Sequence, residues 1–382
     1  MTEGMAQGQC SERFAPIRDL FNAQISSGAD LGASLAITVD GAFEVDLWGG
    51  WADAAQTRRW EADTVVNVWS TTKMMTSLAA LILIDRGELD VDAPVAKYWP
   101  EFAANGKAAI TVRQVMSWTS GVSGWDSPMT VEEIYDWDRS TTRLATQAPW
   151  WTPGSATGYS LVNYGHLVGE VVRRVTGRGL KQFFTDEIAR PLDADFHIGL
   201  PESEVHRCSP VIPPPPLPID MTTLDQTSVM FKTFTGPWAA DAENANTPAW
   251  RAADIGGANG HGNARSVARI QSVISNGGEA FGVRLLKPIT IERIFETHCR
   301  GTDLVLGLPL HMGLGWALPE PALLSYVPQG RVCFWGGWGG SMIINDADHH
   351  VTMAYAMNRM ASGIIGSDTS TALLSCAYQL LR

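Results

Sequence analysis

Ser70 and Lys73 stand three residues apart in the stretch NVWSTTKMMTSLAAL, residues 67 to 81. A serine hydroxyl is a poor nucleophile until a neighbouring group takes its proton. A lysine can do so only if it is held neutral or shares a proton within a network, and burial shifts its pKa in that direction. The run MMTSLAAL supplies apolar neighbours. Three residues is about one helical turn, so the two side chains share a face. Lysine is scarce, with six among 382 residues, and only Lys73 has a serine three positions before it. S-x-x-K is still a weak pattern by itself. Ser70 as a helix cap and Lys73 as a solvated first-turn residue would satisfy it equally well.

Other routes to catalysis have less support. No serine sits in a G-x-S-x-G elbow, and the eight histidines show no H-E-x-x-H or other metal spacing. His349-His350 falls in an expected turn, where solvation is the simpler reading. Cys10, Cys208, Cys299, Cys333 and Cys376 are scattered and odd in number, which suggests neither a disulfide framework nor a metal site. A reducing cytoplasm is the expected setting, since the first residues lack a basic start followed by an apolar run. No apolar stretch is long enough to span a bilayer. The net charge of -12 and the lack of a Lys/Arg-rich run set nucleic acid aside. Nothing speaks to the oligomeric state.

The elements that must position Ser70 and Lys73 follow from periodicity. An amphipathic helix is expected over 12–28, with Phe14, Ile17, Leu20, Phe21 and Ile25 at helical spacing. Two strands flank Asp40-Gly41, a strong hairpin signal. A β-like run, TVVNVW, leads into Ser70, which then opens a helix that stops at Gly87. At a helix start, backbone N–H groups and the dipole favour negative charge developing on the serine oxygen. A short helix ending in a loop is expected in ITVRQVMSWTSG, and a helix ending at a Gly-rich stop in NYGHLVGEVVRRVTGRGL. SPVIPPPPLPID can only be an extended loop, either a connector or a binding wall. RVCFW, SMIIN and HVTMAYAMN are expected strands, and TALLSCAYQLLR a helix. One antiparallel sheet built from both termini, with a helical region inserted, fits this order. The expected division is 1–80 with 251–382 as the sheet part, and 81–250 as the mostly helical part carrying a Pro-rich loop near 209–219.

Tryptophan is abundant, at 15. Trp69, Trp118, Trp150, Trp151, Trp335 and Trp338 lie close to the segments of interest. They either fill core and anchor loops, or wall a pocket for an apolar substrate group.

STTK at 70–73, PGSATGYSL at 153–161 and WGGWGGS at 335–341 occur in an order that resembles the serine β-lactamase and penicillin-binding-protein superfamily. Within its class C-like branch the likeness is greatest to the family VIII carboxylesterases. RGELDVDAPVAKYWPEF and VRQVMSWTSG extend it over nearly the whole chain. The resemblance implies an α/β (α+β) serine β-lactamase/DD-peptidase-like fold. It implies Ser70 as the acylated nucleophile, Lys73 as its base and Tyr159 as the proton-transferring tyrosine. A nearby cation would lower that tyrosine's pKa, and Lys73 is the expected source. Tyr164 and Asn163 lie on the expected helix, so Tyr159 is preferred. The backbone N–H groups of Ser70 and Trp338 would form the oxyanion hole, and Trp335, Gly336 and Gly337 would contact substrate.

Two departures bear on the substrate. Penicillin-recognising members carry a cation where this chain has Trp335, and an Asn where it has Leu161. Both favour an uncharged ester over an antibiotic. The expected activity is a serine esterase acting on small-molecule esters through a Ser70 acyl-enzyme, with no metal or organic cofactor. An acyltransferase, an amidase or a weak β-lactamase on the same scaffold remains open. A non-catalytic homologue would have lost one of the three residues, yet all are present. GGANGHGNARSVARI (256–270) also resembles a family segment beside the site, or is a Gly-rich loop entering a helix.

Overall fold

The computed structural model describes residues 4–126, 129–215, 223–236 and 241–381. Its largest sheet has six strands. They are β1 (Gln7–Cys10), β2 (Gly32–Val39), β3 (Ala42–Gly50), β6 (Val332–Gly336), β7 (Met342–Asp346) and β8 (Val351–Met357), in the spatial order β1-β3-β2-β8-β7-β6. All neighbours are antiparallel. The Asp40-Gly41 hairpin, the three late strands and the union of both termini in one sheet are as the periodicity led us to expect. Between the two halves lie β4 (Val65–Asn67) and β5 (Gly260–Gly262), which pair with each other.

Every residue of β8 is buried. An antiparallel strand usually alternates, but this one is covered on both faces. Thr352 bonds Ser275, in a helix over Ala264–Ser275, at 2.7 Å. Tyr355, three residues on and therefore on the other face, lies 3.2 Å from Thr369 in the Asp368–Leu381 helix.

Helix α1 (Ala15–Ser27) ends at Gly28, whose φ of 75° supplies the left-handed cap. Helix α2 (Thr72–Asp85) is buried without a break from Thr72 to Leu83. A helix apolar all round has no solvent face to offer, so it sits at the centre of the molecule. It packs against α3 (Tyr164–Thr176). The first turn of α2 differs in one detail from expectation. The helix proper starts at Thr72 with Thr71 as N-cap, and Ser70 occupies the turn before it. Lys73 N–H still bonds the Ser70 carbonyl at 2.9 Å, so the one-turn relation between the two side chains holds.

The Pro-rich stretch is extended as far as it is described, to Pro215, and 216–219 lie outside the described residues. Ile212 joins the segment after β8 through bonds to Asn358 and Met360, of 2.8 and 3.0 Å. No helix among the described residues is long and apolar enough to cross a membrane.

Candidate active site

Ser70 is approached from the β4 side by Trp69, whose φ of 49° is left-handed. This is an uncommon conformation for a residue with a bulky side chain, costing about 1–3 kcal/mol. The neighbours hold it there. Its ring is buried against Trp250 and Trp338, with centroids 5.5 and 5.1 Å away. Trp118, which packs against Tyr159, has a φ of 60° and is likewise buried. Two strained tryptophans therefore bracket the site.

The Lys73 side chain is wholly buried. Its Nζ lies 2.9 Å from Ser70 Oγ, 2.7 Å from the Leu161 carbonyl and 2.8 Å from the Gly257 carbonyl. Burial alone drives its pKa well below the ordinary lysine value. A neutral amine has two N–H bonds and one lone pair. Two of its three neighbours are carbonyls, which only accept. In its neutral form the amine would give its two N–H groups to Leu161 and Gly257 and turn its lone pair to the Ser70 hydroxyl. Gly257 explains the segment at 256–270, whose role the sequence left open. A side chain there would put its Cβ 2.2 Å from the Val162 carbonyl oxygen, so only glycine brings that backbone to Lys73.

Tyr159 Oη donates to Ser70 Oγ at 2.5 Å. Its ring is fully buried between Trp118 and Trp335, with centroids 5.0 and 5.2 Å away. Contrary to the sequence-based expectation, the phenol is not acidified. Burial pushes its pKa up, against a smaller opposing pull from Ser70 and Trp335. The expectation relied on Lys73 as a cation, but burial disfavours the charged form of Lys73 and weakens that pull. Tyr164, the rejected alternative, bonds Ser77 at 2.7 Å away from Ser70.

The turn after β6 closes the site. A Cβ on Gly337 would stand 2.2 Å from the Val68 carbonyl, 2.3 Å from Ser341 Oγ and 3.2 Å from Ser70 N. Gly337 therefore lets this turn touch the nucleophile's backbone, with Trp338 next in sequence. Gly336 ends β6 and is buried. Trp335 was expected among the substrate contacts, but its side chain has no exposed surface. It packs 4.5 Å from Trp118 and beside Tyr159, beneath the site rather than in its wall. Trp69 and Trp118 are core in the same sense, whereas Trp150, Trp151 and Trp338 keep partial exposure. Ser70 itself is 7% exposed, so the pair behind it is sealed while its own oxygen can be reached. His349, in its turn, bonds Asp346 at 2.9 Å with 62% of its side chain exposed.

The profile of the Beta-lactamase family matches residues 17–373. The chain belongs to that family. Within the beta-lactamase family it is 33% identical over 372 residues to "Esterase/beta-lactamase LipL" of Mycobacterium tuberculosis, covering 94% of this chain and 85% of that protein. Among solved structures, one described as a family VIII carboxylesterase is 37% identical with a TM-score of 0.91, covering 98% of this chain and 99% of the other. A penicillin-binding protein homologue from Caulobacter crescentus is 36% identical with a TM-score of 0.92, over the same shares. The serine β-lactamase-like fold expected from the three motifs is the fold observed.

Proposed function

We propose that this protein is a serine esterase that cleaves small, uncharged carboxylic esters through an acyl-enzyme on Ser70. The observation that carries the reading is the arrangement at one oxygen. Ser70 Oγ accepts a hydrogen bond from Tyr159 at 2.5 Å and lies 2.9 Å from Nζ of a desolvated Lys73.

Lys73 takes the Ser70 proton as Oγ attacks the ester carbonyl. The backbone N–H groups of Ser70 and Trp338 receive the oxyanion, with Gly337 letting its turn approach the nucleophile's backbone. The C–O bond to the alcohol breaks, and the Tyr159/Lys73 network returns the proton to the departing oxygen. Water then adds to the acyl carbonyl and gives a proton to the same network; the bond to Ser70 Oγ breaks, that oxygen takes the proton back, and the carboxylic acid is released. Neither Trp335, in place of a cation, nor Leu161, in place of an amide, can hold a β-lactam's carboxylate or its side-chain amide. The family VIII carboxylesterase relative supports the ester reading, while the name of LipL carries both esterase and beta-lactamase. The sheet part (1–80 and 251–382) and the helical part (81–250) meet at this site in our reading. The five free thiols agree with a reducing, cytoplasmic setting.

The test is a panel of p-nitrophenyl esters of graded chain length and a chromogenic cephalosporin, run on wild type and Ser70→Ala. Ester turnover that vanishes in the variant, and a phosphonate mass added on Ser70, are expected. Untouched esters, or an Ala variant of full activity, would overturn the reading.

A further inference from the structure

The loop 303–308 shows leucine to solvent, with Leu304 and Leu308 37% and 38% exposed, yet its first residue is an aspartate only 1% exposed. A carboxyl is costly to bury unless its oxygens are engaged. Asp303 Oδ1 accepts three backbone N–H groups, from Val305 and Leu306 at 2.9 Å each and from Tyr159 at 3.2 Å. The first two fold the loop on itself, helped by the Asp303 N–H to Leu308 carbonyl bond of 2.9 Å. The third leaves the loop and reaches the backbone of the residue that touches Ser70.

That third bond belongs to a row. Leu304 N–H bonds the Thr157 carbonyl at 2.9 Å, and Gly158 N–H bonds the Trp118 carbonyl at 2.9 Å. Residues 157 to 159 are thus held one after another, and Asp303 holds the last. Tyr159 has no freedom to restore a lost contact by turning its ring, which Trp118 and Trp335 fix on its two sides. A shift of its main chain must pass to the hydroxyl, and misplacement of a proton-transferring group by a fraction of an ångström is felt in the rate.

We propose that Asp303 is a positioning residue for the esterase reaction, acting through the backbone N–H of Tyr159 to set the Tyr159–Ser70 contact. The inference rests on the esterase reading above. It goes beyond that reading in placing part of the machinery on a loop that none of the three motifs contains.

A double-mutant cycle tests it, with p-nitrophenyl ester turnover and the rate of Ser70 labelling by a phosphonate as readouts. Asp303→Ala lowers kcat by about tenfold or more with KM within about threefold, and adds less than about twofold to the loss already present in Tyr159→Phe. Asp303→Asn, which keeps an acceptor oxygen, stays within about fivefold of wild type. Equal losses from Asp303→Ala in both backgrounds overturn the proposal, because a merely structural role would not depend on the Tyr159 hydroxyl. If Asp303→Ala does not fold, the Asn variant decides alone, a folded Asp303→Asn with a larger loss being the contrary result. A wild type that neither turns over ester nor takes label sinks the esterase reading and this inference with it. Additive losses in an active enzyme sink only the inference.

Discussion

Tyr159 Oη stands 2.5 Å from Ser70 Oγ across 89 residues of sequence, and it does so as a protonated phenol. In the acylation half of the mechanism proposed above it donates. Removing only that oxygen, as in Tyr159→Phe, keeps the buried ring and its aromatic contacts. Ester kcat should fall by about 10²–10⁴, the usual worth of a positioned proton-transfer group. The thermal midpoint should stay close to wild type, so calorimetry alongside kinetics separates the two effects.

Lys73 sets the pH dependence. Its amine must be neutral to take a proton, and burial lowers its pKa well below 10.5. Activity should fall as pH drops through that lowered value and should not fall again on the alkaline side near neutrality, because Tyr159 is pushed in the opposite direction. A kcat/KM profile between pH 5 and 10 checks this. Lys73→Arg, whose guanidinium cannot lose its proton, should be inactive throughout the range.

The same group links stability to pH. Between the folded pKa of Lys73 and the unfolded value of 10.5, the unfolded chain binds the extra proton, so stability rises with pH in that window. Buried phenols and thiols act with the opposite sign at its upper end. The difference between wild type and Lys73→Met isolates the lysine. The midpoint of wild type should gain on that of the variant as pH is raised from 7 to 9.

Gly337→Ala should damage both fold and rate. Its Cβ would meet the Val68 carbonyl at 2.2 Å and Ser341 Oγ at 2.3 Å, and backbone cannot yield that much without moving Ser70 N. Loss of one oxyanion donor costs about 10²–10³ in kcat, and that is the expected size. A normal rate in a folded Gly337→Ala would remove this turn from the mechanism.

Trp335→Ala should cost about 3–5 kcal/mol of stability, as an emptied aromatic site does, and lower kcat through loss of the support beneath Tyr159. KM should change little, since the indole does not reach the surface. Denaturant titration and steady-state kinetics measure the two.

Much of this was legible in the sequence. The terminal strands announced themselves by apolar runs and the Asp40-Gly41 turn, and Ser70, Lys73 and Tyr159 by motif. What stayed hidden has a common cause. Lys73 is held by the carbonyls of Leu161 and Gly257, and main-chain acceptors leave no mark in residue type. Asp303 carries no motif, and its importance lies in the N–H it meets. Trp335 was placed correctly but misjudged, because burial depends on what the fold stacks above a strand.

The site draws Ser70 and Lys73 from the start of one helix, Tyr159 from a loop of the inserted region, Gly257 from another turn and Gly337 from the end of a late strand. No single helix, strand or loop contains a working set. Turnover is consequently a census of molecules in which distant stretches are all docked at once. During heating or proteolysis it should disappear with the first segment to detach, reporting damage that an average over helices and strands would register only later.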